Sequence, residues 1–89
     1  MRLKNKIAIV TGGGSGFGAG IVKKFIQEGA KVVVADINLE NAEKVAMDCG
    51  GFAFEVDVSN SLSFKNMVDK TLENFGKIEI MVNNAGITH

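Results

Sequence analysis

Six of the eleven glycines, Gly12, Gly13, Gly14, Gly16, Gly18 and Gly20, fall within nine residues. They follow a β-branched run, Lys6–Val10, and precede a segment in which Ala19, Val22, Phe25 and Ile26 recur at helical spacing. A strand-to-helix turn of this composition has a definite chemistry. The helix offers unpaired N–H groups and the positive end of its dipole, and glycine lets the backbone approach an anion with no Cβ in the way. Thr11-Gly12-Gly13-Gly14-Ser15-Gly16-Phe17-Gly18 therefore suits a phosphate. No Gly-Lys-Ser/Thr follows, which excludes the P-loop. Gly14-x-Gly16-x-x-Ala19 meets the generic dinucleotide pattern, although glycine at Gly12, Gly16 and Gly18 describes the turn better. Taken alone, such a cluster is equally a permissive turn packed against the next strand.

Asp36 favours the ligand-binding alternative. It ends the second β-branched run, Lys31–Asp36, 20 residues after Gly16, where an acid can accept hydrogen bonds from the adenosine ribose hydroxyls. A carboxylate there repels a 2′-phosphate, and neither Ile37 nor Gly14 nor Ser15 brings a cation, so the pattern favours NAD over NADP. The competing structural role, capping the next helix, falls better to Asn38. Asp57 and Asn83/Asn84 end two further apolar runs. Each alone is an ordinary turn residue, but Gly12, Asp36, Asp57 and Asn84 on one sheet edge outline a polar crevice long enough for a dinucleotide.

The elements that must position these residues alternate. After the first helix, with Gly29 as its stop, come the second strand and a helix marked by Leu39, Ala42, Ala46 and Cys49 and closed by Gly50-Gly51. Phe52–Val58 reads as a third strand. Leu62, Met67, Val68, Thr71, Leu72 and Phe75 stripe a third helix over 60–75, and Ile78–Val82 reads as a fourth strand. Such alternation signals βαβ units and a parallel sheet. Right-handed crossovers then give strand order 3-2-1-4, with two helices on one face and the third on the other. The switch point, where open α/β sheets bind ligands, falls between strands 1 and 4. The expected fold is α/β, a partial Rossmann fold with four parallel strands and three helices.

At 89 residues the chain is one small domain at most. Ten Lys/Arg balance ten Asp/Glu, which leaves no basic field for nucleic acid or an anionic membrane. No apolar run exceeds four residues, so none spans a bilayer. The single cysteine, Cys49, cannot form an internal disulfide and fits a reducing cytoplasm; it reads as a small apolar residue. His89 reads as a terminal residue without partners, and no metal site is expected. The lysines at 23, 24, 65 and 70 read as solvated helix faces.

In these motifs the chain resembles the short-chain dehydrogenase/reductase family. Thr11-Gly12-x-x-x-Gly16-x-Gly18 is similar to its coenzyme turn, Asp57-Val58 to the pair holding the adenine ring, and Asn83-Asn84-Ala85-Gly86 to its NNAG motif. Val82–Thr88 resembles the ketoacyl-carrier-protein reductase and glucose-dehydrogenase-like members. The resemblance implies an oxidoreductase moving hydride between NAD(H) and a hydroxyl or carbonyl carbon. It implies that Gly12, Gly14, Ser15, Gly16, Phe17 and Gly18 meet the pyrophosphate and neighbouring ribose, and that Asp36 and Ile37 lie at the adenosine ribose. Asp57 and Val58 would meet adenine, and Asn84, Ala85 and Gly86 the middle of the coenzyme. The family's catalytic serine, tyrosine and lysine lie downstream of NNAG, and this sequence has no tyrosine. No catalytic residue is carried over.

Residues 1–89 are thus expected to be the N-terminal part of one NAD-binding domain, ending after strand 4 and without turnover alone. A small-molecule substrate would enter only in the complete enzyme. An exposed fourth strand and a half-covered face favour self-association. Three alternatives differ in kind. A stand-alone nucleotide-binding module predicts a stable domain with no missing partner. A methyltransferase-like domain also uses an acid after its second strand, but has no role for NNAG and usually carries an acid before its glycines. A degenerate fragment predicts no function.

Overall fold

The computed structural model describes residues 1–86. His89, and the Ile87-Thr88 part of the stretch Val82–Thr88, lie outside the described residues. Four parallel strands form one sheet in the order β3-β2-β1-β4: β1 (Ile7–Thr11), β2 (Lys31–Asp36), β3 (Phe52–Glu55) and β4 (Ile80–Asn83). Helices α1 (Gly16–Gln27), α2 (Leu39–Cys49) and α3 (Ser61–Phe75) connect them, and Asn84–Gly86 forms a short 3-10 turn. No helix among the described residues is long and apolar enough to cross a membrane.

The central strands are continuous apolar runs because both of their faces are covered. Ala8, Val10, Val32 and Val34 point to one side, where Val22 of α1 and Ala42 and Ala46 of α2 close over them. Ile9, Val33 and Ala35 point to the other and meet Met67 of α3, with Val56 completing that layer. The expected two-and-one division of helices follows from these alternating faces. On the α3 side, Phe52 and Phe75 add an edge-to-face pair with ring centres 5.1 Å apart.

Helix ends follow local chemistry. Asn38 caps α2 by accepting the Asn41 N–H at 3.0 Å, and Asn60 caps α3 by accepting the Ser63 N–H at 3.0 Å. Gly50 and Gly76, both left-handed, close α2 and α3.

Three strands have bounds that differ from the sequence expectation. β1 starts and ends one residue later, since Thr11 is buried and pairs with both Ala35 and Asn83. β3 stops at Glu55 instead of reaching Val58. The Val56 N–H still reaches the Asp36 carbonyl at 3.0 Å, but at Asp57 the chain turns around its own carboxylate. β4 runs from Ile80 to Asn83 instead of from Ile78 to Val82: Asn83 pairs with Thr11 at its end, and at its start the Glu79 side chain takes the Ile7 N–H at 2.7 Å while the Glu79 N–H donates to the Ile7 carbonyl at 3.0 Å. A side chain thus closes the end of the ladder.

Candidate functional site

Parallel strands bring all four C-terminal ends to one edge, so the glycine turn, Asp36, the segment at Asp57 and Asn83-Asn84 share a rim. The turn leaves β1 at Gly12 and enters α1 at Gly16, with Ser15 as an N-cap in extended conformation whose side chain makes no capping bond. The first turn of α1 carries no acid that would repel an anion.

The turn is held from three directions. Asp36 is 8% exposed, and both of its oxygens are engaged: Oδ2 accepts the Gly14 N–H and Oδ1 accepts the Asn38 N–H, each at 3.0 Å. Asp36 therefore braces the turn against the start of α2, while the capping role belongs to Asn38. From the β4 side, Asn84 Nδ2 donates to the Gly12 carbonyl at 3.3 Å. From below, the fully buried Thr11 hydroxyl donates to Asn83 Oδ1 at 3.0 Å, with the Val82 carbonyl at 3.3 Å as the alternative acceptor. The same hydroxyl accepts the Ala85 N–H at 3.2 Å.

Two glycines show how the cradle is shaped. A Cβ on Gly18 would collide with the Gly12 carbonyl and lie 2.9 Å from Asn84 Nδ2, so only glycine lets α1 approach the turn this closely. Gly16, at φ +50°, has nothing within 4 Å of the position of a Cβ. The chain is thus tight behind the turn and open in front of it, which is the space an anion at a helix N-terminus requires. A cleft of about 530 Å³ opens there, lined by Ser15, Gly16, Phe17, Ile21, Val82, Asn83 and Asn84, with no cation among them. Phe17 is 86% exposed at its mouth.

Toward β3 the rim changes character. Ile37 is exposed beside Asp36. Asp57 Oδ1 accepts both the Ser59 O–H at 2.6 Å and the Ser59 N–H at 3.0 Å, which together hold its carboxyl below the usual aspartate range, the hydroxyl foremost. The Asp57 N–H donates to Ser63 Oγ at 3.0 Å. Val58 packs partly buried against the α3-side core, and Ala85 and Gly86 complete the 3-10 turn after Asn84. Among the described residues no three His, Cys, Asp or Glu side chains gather as a metal site.

The residues singled out from the sequence therefore share one edge. Gly14 is bonded to Asp36, Asn84 to the Gly12 carbonyl and Ala85 to Thr11, and Ser15, Gly16, Phe17 and Asn84 line the adjoining cleft. Asp57 and Val58 stand farther along, past the β2–β3 pair. Thr11 stood in the turn motif without a role of its own, and Ser59, Ser63 and the cleft-lining Ile21 were not singled out as site residues. Thr11 had a signal, a hydroxyl ending a fully apolar run, and Ser59 had another, its place two residues after an aspartate. Ser63 had none, because its partner is reached only once α3 folds back.

The family model described as short chain dehydrogenase matches residues 6–89. The chain is 45% identical over 92 residues to zerumbone synthase of Zingiber zerumbet, covering 99% of this chain and 34% of that protein. It is 46% identical over 88 residues to tropinone reductase-like 1 of Erythroxylum coca, covering 97% and 32%. The crystal structure of 3-ketoacyl-(acyl-carrier-protein) reductase from Brucella melitensis complexed with NADH superimposes with a TM-score of 0.92 at 44% identity, covering 98% of this chain and 36% of that one. The chain spans about a third of the length of the curated relatives it matches.

Proposed function

Because the chain belongs to the short-chain dehydrogenase family, we propose that its 89 residues are the coenzyme-binding portion of an NAD-dependent oxidoreductase acting on a hydroxyl or carbonyl carbon. The observation that carries this reading is the Asp36 carboxylate at the end of β2, fixed by the Gly14 and Asn38 N–H groups beside an anion-ready helix start. Its accepting lone pairs suit the ribose diol, and its charge disfavours a 2′-phosphate, so NAD is preferred to NADP.

In this reading the backbone from Gly12 through Gly18 holds the pyrophosphate, with Ser15 and Phe17 at the mouth of the cleft. Asp36 takes the adenosine ribose with Ile37 beside it. Asp57 accepts from the adenine amino group, and Val58 packs near the ring. Asn84, Ala85 and Gly86 flank the middle of the coenzyme. When bound, a nicotinamide dinucleotide supplies the hydride donor or acceptor. The protein's own contribution here is to bind and orient: N–H groups set against the phosphates, a carboxylate on the diol, and the Thr11–Asn83–Ala85 bonds that keep the switch point rigid.

None of the 89 residues is assigned a catalytic role. The chain contains no tyrosine to act as general acid or base, so we infer no turnover from these residues alone. Residues 1–89 then constitute the N-terminal part of one Rossmann domain, with substrate selection outside them. The free thiol of Cys49 suits a cytoplasmic setting. Among the described residues β4 is an edge strand, and the 39% exposure of its Met81 supports self-association of the chain.

An equilibrium titration with NADH, NADPH and S-adenosylmethionine tests the reading. Saturable NADH binding, tighter than NADPH and without S-adenosylmethionine binding, is expected. Binding of S-adenosylmethionine alone, or of none of the three, would overturn it.

A further inference from the structure

We propose that Ser59 is a positioning residue that makes the chain select a 6-amino purine over a 6-oxo purine, by occupying one oxygen of Asp57 and leaving the other to meet the base. The proposal rests on the reading of Asp57 as the adenine acceptor. It starts from an asymmetry within one carboxylate. Oδ1 receives two donors from the same residue, the Ser59 O–H at 2.6 Å and N–H at 3.0 Å, whereas Oδ2 has no hydrogen-bond partner among the described residues.

The backbone of Asp57 is fixed as well. Its N–H donates to Ser63 Oγ at 3.0 Å, and its carbonyl accepts the Asn60 N–H at 3.0 Å. With the main chain held at both groups and Oδ1 held by two donors, the side-chain torsions have one well-supported setting. Oδ2 is then a charged acceptor with a fixed direction. An amino group at purine position 6 gives it an N–H, whereas an oxo group sets a lone pair against a carboxylate.

Helix capping does not account for the Ser59 hydroxyl, because α3 is capped by Asn60. Ser59 is itself exposed and bonds through Oγ to Asp57. The two donors also keep the Asp57 carboxyl ionised below the usual aspartate range, so it remains an acceptor in mildly acid solution.

The test compares NADH with reduced nicotinamide hypoxanthine dinucleotide, binding each to the 89-residue chain and to its Ser59→Ala and Ser59→Thr variants. The original chain is expected to favour the adenine dinucleotide by about tenfold. Ser59→Ala is expected to reduce that ratio about fivefold with its urea midpoint nearly unchanged, and Ser59→Thr to restore it. A ligand-free readout accompanies this: the Asp57 carboxyl titration, followed by carbon NMR, moves up toward the ordinary aspartate range in Ser59→Ala and back down in Ser59→Thr. Binding of neither dinucleotide to the original chain removes the coenzyme-binding reading and this inference together. Binding of both, with an unchanged ratio or an unmoved Asp57 titration in Ser59→Ala, overturns the role of Ser59 alone.

Discussion

Asp36 Oδ2 accepts the backbone N–H of Gly14 at 3.0 Å, joining the end of β2 to the turn that follows β1. In the proposed reading, the carboxylate that takes the ribose diol is therefore also part of the wall of the phosphate site. On that reading ligand selectivity and turn geometry depend on one carboxylate, so a substitution at Asp36 is expected to act on both.

Asp36→Ala leaves the Gly14 and Asn38 N–H groups without their acceptor in a nearly buried position. A stability loss of about 1–3 kcal/mol is expected. NADH affinity falls, while NADPH loses less because the repelling charge is gone, so the NADH/NADPH preference narrows. Asp36→Asn retains one acceptor oxygen and falls between the two. Urea melts and paired coenzyme titrations check both effects.

Gly18→Ala and Gly16→Ala separate fold from ligand space. The first drives a methyl into the Gly12 carbonyl and Asn84 Nδ2, and is expected to cost about 1–3 kcal/mol with loss of NADH binding. The second meets no neighbour and bears only the strain of a positive φ, about 1 kcal/mol, yet its methyl stands in the open front of the turn. NADH binding is expected to fall sharply in a chain that still melts cooperatively.

Acid should loosen the molecule from two sides. The Ile7 N–H, then Lys77 and Lys6, hold the Glu79 carboxyl below its ordinary value of 4.5; the Arg2 N–H and Lys24 do the same for Glu28. Both groups thus have folded pKa values below their unfolded ones, and the unfolded chain binds more protons as pH falls through that window. Their stabilisation is complete above pH 4.5 and is lost as pH falls through the depressed folded values. Glu79→Gln keeps a carbonyl oxygen for Ile7 but cannot titrate, so its urea midpoint should fall less steeply between about pH 6 and about pH 3.

The position of β4 at the sheet edge among the described residues supplies a fourth expectation. Sedimentation velocity should show a weight-average mass that rises with concentration, and Met81→Lys, placing a charge on the uncovered face, should lower it. A compact monomer at every concentration would count against association through this edge.

The order of elements and the 3-2-1-4 sheet were legible because they depend on periodicity and on the handedness of crossovers, both carried by short stretches of chain. Spacing likewise drew attention to the glycine turn and Asp36, which the fold joins through the Gly14 N–H and Asp36 Oδ2. The ends of β3 and β4 were not legible. One is set by a carboxylate curling onto Ser59, the other by Glu79 reaching Ile7, 72 residues away in sequence.

The sequence by itself thus determined the fold class, the sheet edge to which the singled-out residues come and the residue types along it. Tertiary structure alone decided how they are braced: that Asp36 is tied to Gly14, that Thr11 joins Asn83 to Ala85, and that Gly18 faces the Gly12 carbonyl. The physical reason is that each bond forms between segments brought together only after the sheet assembles. Hydrogen bonds are satisfied by neighbours in space, and periodicity records only neighbours in sequence.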